Sequence, residues 1–217
     1  MPPDAPLPAD RLFDALGSDY ERAFGDLPEQ HAALAWLCER LPAGAHVLDV
    51  GCGTGVPTAR MLADNGHRVE GIDVSPAMVA LAQSQIPGAV FHQADVREYH
   101  CEPDSFDAVC AFFPLLQMTR SEIDSSLRRM AGWLRPGGYL IAATIPADIE
   151  QVDIVFMGHP ARVSSFATAG FLDRLRSAGL DVLESRESTF TPNHQGAHPE
   201  PHLFVYCRRP APPNPRS

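Results

Sequence analysis

No lysine occurs anywhere in this chain: all 17 formal positive charges are arginines. That absence excludes every chemistry that needs a lysine amine, from Schiff-base catalysis to the lysine of a phosphate-binding loop. No apolar run approaches the ~18 residues that a membrane span needs, and no basic segment followed by an apolar one stands at the start. The five cysteines, Cys38, Cys52, Cys101, Cys110 and Cys207, are odd in number and make no CxxC pair. Reduced thiols are therefore expected, not a disulfide framework or a zinc site. A basic footprint is missing as well: the formal net charge is −10 and the arginines are scattered, which argues against a nucleic-acid partner. These absences leave a soluble, cytoplasmic protein with no membrane partner as the expectation.

What is present suits one domain with a sizeable core: 217 residues, 45% hydrophobic and 20% charged. The proline-rich ends, 1–10 and 210–217, are expected to be disordered tails around a single domain over 11–209. Within it, apolar runs at Val47–Val50, Arg68–Asp73, Ala89–Ala94, Ala108–Phe112 and Tyr139–Thr144 read as strands. Helical spacing separates them, with starts at Pro28, Pro57, Ser75-Pro76 and Ser121-Glu122. A last helix over 166–178 and two strands near 180–188 and 202–208 follow. Such alternation predicts an α/β fold, an open, doubly wound, mainly parallel sheet with helices on both faces. Ligands of such sheets bind beyond the carboxyl ends of the strands.

The first strand runs into Gly51-Cys52-Gly53-Thr54-Gly55. Glycine at alternate positions lets backbone approach a ligand. The spacing is GxGxG, not the GxGxxG of a dinucleotide loop, and Pro57 removes an amide that a phosphate would use. Asp73 ends the second strand at the distance expected of a ribose-binding acid. Asp49 is a charge inside an apolar strand, placed to orient the glycine loop or a cationic ligand end. Cys52 reads as a small packed side chain.

On these residues the chain resembles the class I S-adenosylmethionine-dependent methyltransferases. Val47–Gly55 is similar to the family's first motif and Gly71–Ser75 to its second. Ala94-Asp95-Val96, Ser105–Val109 and Leu134–Leu140 resemble the third, fourth and fifth, in the same order. The similarity runs from about Leu12 to Arg209. It implies a Rossmann-like seven-stranded sheet with an antiparallel last strand, and S-adenosylmethionine as cofactor. It also implies a contact of Asp95 with the adenine amino group and of Tyr20 with the methionyl end. The expected cofactor-binding set is Tyr20, Asp49, Gly51, Cys52, Gly53, Thr54, Gly55, Asp73, Val74, Ser75, Met78, Asp95, Val96 and Phe112. The arginine-only usage suggests a GC-rich genome, and a likeness to small actinobacterial enzymes points to secondary metabolism.

Methyl transfer from a sulfonium needs a placed nucleophile and, where that nucleophile carries a proton, a base. The apolar segment after the fourth strand suits a small organic substrate, with Phe113, Leu116, Gln117 and Met157 as expected pocket residues. An insertion over about 145–164 is expected to form a pocket wall or lid. One of His159, His194, His198 or His202 is the candidate base, and no metal is expected because Pro199 and Pro201 break any helical histidine array. The accepting atom, O, N or C, stays open, as does a monomer or a homodimer. A peptide or protein methyltransferase, a nicotinamide-dependent oxidoreductase and a non-catalytic cofactor-binding protein are the competing readings.

Overall fold

The computed structural model describes residues 5–212. Helices α1 (Ala9–Leu16), α2 (Ser18–Phe24) and α3 (Pro28–Cys38) come first. Then follow β1 (His46–Val50), α4 (Thr58–Asp64), β2 (Arg68–Asp73), α5 (Pro76–Gln85), β3 (Val90–Gln93) and β4 (Phe106–Phe112). The second half holds α6 (Arg120–Trp133), β5 (Leu134–Thr144), β6 (Ile149–Phe156), β7 (His159–Ser165), α7 (Thr168–Ser177), β8 (Asp181–Phe190) and β9 (Glu200–Arg208).

Seven strands form one sheet in the order β3-β2-β1-β4-β5-β9-β8. The first five pair in parallel, and β9 enters antiparallel to both β5 and β8. The apolar run of β1 is buried on both faces, as a central parallel strand must be. Its alternate residues serve two cores. Leu48 and Val50 pack with α6 and α7 through Leu127 and Leu175, whereas Val47 packs with α3 and α4 through Leu37 and Leu62. The order of strands reverses between β1 and β4, which opens a crevice at their carboxyl ends.

Local chemistry explains the element starts. Ser75 accepts from the Met78 amide at 3.1 Å, and Pro76 occupies the first turn of α5. Helix α6 is capped two residues before the expected Ser121. Its cap is Thr119, because the capping box needs its acid three residues on: the Thr119 amide donates to Glu122 at 2.8 Å, and Thr119 Oγ1 accepts from the Glu122 amide. Strand β5 starts at Leu134, ahead of the expected Tyr139, with a register shift against β4 over the Pro136-Gly137-Gly138 stretch.

Two further departures matter for the site. The residues expected as an amino-terminal tail are tied down from Leu7 on. Its amide donates to the Pro160 carbonyl, its carbonyl accepts from Gln117, and α1 begins at Ala9. The rest of that expectation, residues 1–4, and most of the carboxyl-terminal tail, 213–217, lie outside the described residues, while 210–212 are exposed. The insertion at 145–164 contains a separate two-stranded hairpin, β6–β7, turning at Met157-Gly158 with φ of 47° and 86°. Positive φ at both central residues suits the twist of a two-residue hairpin. The hairpin packs on α1 and α2: Phe24 stacks on Phe156 at 6.0 Å, and Tyr20 sits 5.0 Å from Phe24.

Candidate functional site

A cavity of about 350 Å³ lies over the carboxyl ends of β1, β2 and β4. Its floor includes Gly51, Gly53, Asp73, Val74, Asp95, Val96 and Phe112, and its roof is α1, α2 and the β6–β7 hairpin. A second, small cavity of about 50 Å³ adjoins it and shares Tyr20, Gly51, Gly53, Phe112 and Phe113. Asp49, Cys52 and Thr54 line this smaller space.

Backbone conformation builds the floor. Gly51 has φ +68° and an added Cβ would meet Pro114 at 2.5 Å, so nothing larger fits. At Gly53, φ is +52° and no heavy atom stands within 4 Å of an added Cβ, so the backbone here faces open space. The Gly51 and Cys52 amides both donate to the Ile72 carbonyl, at 2.8 and 3.0 Å, which locks the loop onto the end of β2.

Asp73 joins the loop to the next helix. One carboxylate oxygen accepts from the Gly53 amide and the other from the Ser75 amide, both at 2.9 Å. Each oxygen retains a free lone pair, so a vicinal diol can still donate to both. Burial pushes this carboxyl above the usual range; the amides of Ser75, Gly53 and Val74 pull it back, and Asp14 pushes it up again. Asp14 is a residue the sequence did not disclose. From α1 it accepts from Ser75 Oγ at 2.6 Å and from the Ala77 amide at 3.2 Å, and so it caps α5 across 61 residues of chain.

Asp49 is 2% exposed, and its Oδ2 has no hydrogen-bond partner. Burial first, and Asp73 second, push its carboxyl up to about 8. A buried acid in that condition gains from a cation. The Cys52 thiol is pushed up strongly by burial, then by Asp49 and Asp73, and the residue serves as a small packed group beside Gly71. Asp95 lines the cavity at the end of β3. Its burial is outweighed by Arg97, whose guanidinium clasps both oxygens and whose amide donates at 2.8 Å, so the carboxyl is held below the usual range. Tyr20 lines both cavities; burial, then Asp73 and Glu200, drive its phenol well above the usual value.

Other anticipated residues stand away from the open space. Gly55 packs on Ile86 and Ala82, Ser75 caps α5, and Met78 is fully buried in α5. Of the expected pocket residues, Phe113, Leu116 and Gln117 line the cavity. Met157 sits in the hairpin turn and packs with Leu12 and Ala161. The four histidines separate clearly. His159 opens β7, His194 bonds the Gln195 carbonyl in the loop before β9, and His198 is exposed in the same loop. His202 alone among the four lines the cavity, with Glu200 beside it. Antiparallel entry explains this: the first residues of β9 lie at the edge where β4 and β5 end, and residues two apart share a face. Among the described residues no group of three or more His, Cys, Asp or Glu is placed to hold a metal.

The residues present fit a nucleoside that carries a cationic amino-acid tail. A glycine faces open space, a carboxylate at the end of β2 suits a ribose diol, and an unpartnered buried carboxyl suits the ammonium or sulfonium. Comparison with known proteins agrees. Residues 47–138 match the family described as "Methyltransferase domain". The chain is 31% identical to the O-methyltransferase cnsE of Penicillium expansum over 83% of its own length and 72% of that protein's. It is 34% identical to a dTDP-3-amino-3,6-dideoxy-alpha-D-glucopyranose N,N-dimethyltransferase of Streptomyces fradiae, over 61% of this chain and 49% of the relative, so it spans about half of that protein. In fold it is similar to the 1,6-didemethyltoxoflavin-N1-methyltransferase of Burkholderia thailandensis, solved with S-adenosylhomocysteine bound: TM-score 0.65, 24% identity, 97% of this chain and 94% of that one. With the glycine loop, the strand-end acids and these relatives in agreement, the chain belongs to the class I S-adenosylmethionine-dependent methyltransferases, and S-adenosylmethionine is its cofactor.

Proposed function

We propose that this protein transfers the methyl group to O, N or C of a small organic molecule, in secondary metabolism. One observation carries the reading: the cofactor cleft opens directly into a roofed chamber whose far walls, Leu116, Ile149, Ile154, Phe156 and Val163, are apolar. Such a chamber suits an apolar small molecule. The names of the relatives, an O-methyltransferase and an amino-sugar N,N-dimethyltransferase, agree with a small acceptor.

S-adenosylmethionine, when bound, supplies a methyl group on a positively charged sulfur that leaves readily. The chain's own work is to hold, orient and keep dry. Asp73 holds the ribose hydroxyls and fixes the loop. Asp49 faces the cationic end, and that charge favours its ionised form. Asp95 and Val96 border the adenine side. Tyr20, Phe24 and Phe156 close the chamber, and the hairpin acts as the substrate wall. Orientation of this kind can supply ~7–11 kcal/mol of the barrier.

The test is a panel of small aromatic, polyketide and amino-sugar acceptors incubated with S-adenosylmethionine, with methylated products identified by mass spectrometry. Product from at least one small acceptor, with none from peptides, is expected. Methylation of peptides alone would refute the reading.

A further inference from the structure

We propose that Glu200 and His202 form a proton-accepting dyad, and that the acceptor is an acidic hydroxyl, a phenol or an enol, on a flat apolar scaffold. The proposal deepens the methyl-transfer reading and rests on it.

His202 is 1% exposed, and its Nε2 stands 2.8 Å from Glu200 Oε1. A carboxylate can only accept, so Nε2 carries the hydrogen and the lone pair resides on Nδ1. That Nδ1 is buried without any hydrogen-bond partner, yet its residue lines the cavity. An orphaned buried acceptor is costly, and a substrate donor would relieve that cost. Aromatic rings pack around it. Phe113 lies 4.6 Å from the imidazole, Phe190 5.9 Å and Phe204 6.4 Å, centroid to centroid. The ionisable groups at this end of the cavity are Glu200 on β9 and Tyr20 on α2; Asp73 and Asp95 belong to the cofactor end.

These walls select the acceptor. Aromatic rings around the imidazole favour a flat ring. A neutral amine attacks through its own lone pair, whereas a hydroxyl is a poor nucleophile until its proton leaves, so a base aimed at the acceptor serves a hydroxyl. A phenol, at pKa about 10, is within reach of an imidazole, which an aliphatic alcohol is not. In the step, the O–H proton passes to His202 Nδ1 while the oxygen forms the O–CH₃ bond. The C–S bond breaks with its electron pair staying on sulfur, which leaves the neutral thioether. The imidazolium is held by Glu200 and later yields its proton to water. Glu200 is a positioning residue: its contact with Nε2 at 2.8 Å fixes the tautomer and the ring's orientation.

The test uses the full chain loaded with S-adenosylhomocysteine or S-adenosylmethionine, and 2-naphthol and 2-naphthylamine as probes. Wild type should methylate 2-naphthol, at least tenfold faster than the amine. H202Q should lower kcat/KM for 2-naphthol by roughly 10²–10⁴-fold. It should also erase the acid limb of the pH profile, with S-adenosylhomocysteine affinity within threefold of wild type by calorimetry. E200A should cost about tenfold in kcat with KM within threefold, and E200D should restore part of it. Independently of turnover, long-range ¹H–¹⁵N spectra of the S-adenosylhomocysteine complex should show His202 neutral and protonated on Nε2, and a tautomer mixture in E200A. A His202 protonated on Nδ1, an H202Q enzyme within threefold of wild type, or no methylation of 2-naphthol despite intact cofactor binding each overturns the dyad. Failure to bind S-adenosylhomocysteine overturns the methyl-transfer reading itself, and the dyad with it.

Discussion

The floor and the roof of this site are built on opposite principles. The floor is backbone and buried acid: amides of Gly51, Cys52 and Gly53 tied to Ile72 and Asp73, with Asp49 held uncompensated beneath. The roof is side chain: Phe13, Tyr20, Phe24 and Phe156 packed ring on ring between α1, α2 and the hairpin. A floor of backbone groups is fixed by conformation, so its residue types are dictated and its ligand is fixed with them. A roof of packed rings asks only for volume and apolarity, so it can be rebuilt for a different acceptor without disturbing the floor.

The contrast is broken most strongly at Asp73. Asp73→Ala removes two charge-assisted acceptors, each worth ~1.5–3 kcal/mol, and releases the glycine loop. S-adenosylhomocysteine affinity should fall by roughly a hundredfold or more, read by calorimetry. Asp49→Asn should cost about ten- to a hundredfold, because one cation loses its partner. Asp49 also gives the floor a pH signature. Its carboxyl is raised to about 8 by burial, so the ligand-free fold favours its protonated form. Its stabilising contribution is present below the ordinary carboxylate value and is lost as pH rises through about 8. Thermal melts of ligand-free Asp49→Asn should therefore decline less between pH 5 and about 9 than those of wild type.

Changes to the roof should act on the acceptor instead. Phe156→Ala opens the chamber at the hairpin and should raise KM for an acceptor about tenfold, with cofactor affinity changed less than threefold. The smallest effect belongs to Asp14, which lies between the two regions. Removing one cap costs ~1 kcal/mol, so Asp14→Ala should weaken S-adenosylhomocysteine about fivefold by loosening the start of α5. A larger loss than that of Asp73→Ala would show that the roof, not the floor, organises the cofactor.

Legibility in the sequence follows the same division. Gly51, Gly53, Asp49 and Asp73 stood out because a local pattern of glycines and strand-end acids has few other causes. The mainly parallel α/β sheet followed from the alternation of strands and helices, and its seven strands with an antiparallel last one were implied by the family resemblance. The roof was not readable in this way. Helix α1 starts at Ala9, inside the 1–10 stretch whose proline content suggested a tail, and Leu7 is held by Pro160 and Gln117, partners more than a hundred residues away. The hairpin carries little burial pattern along β6, where most residues are exposed. His202 could not be separated from His159, His194 and His198 by spacing, because what distinguishes it is the strand direction of β9. A glutamate two residues before a histidine at the head of an apolar run was the one available signal.

The central claim is that a buried acid beneath a glycine loop receives the ammonium group of the cofactor, which S-adenosylhomocysteine keeps although its sulfur is neutral. Calorimetric titration with S-adenosylhomocysteine at pH 7.5, in buffers of different ionisation enthalpy, tests it most directly, with Asp49→Asn beside wild type. Binding to wild type with net proton release, tightening as pH rises from about 6 to about 8, is expected, with neither release nor tightening in Asp49→Asn. Absence of binding, or binding with the same proton count in both proteins, would contradict it.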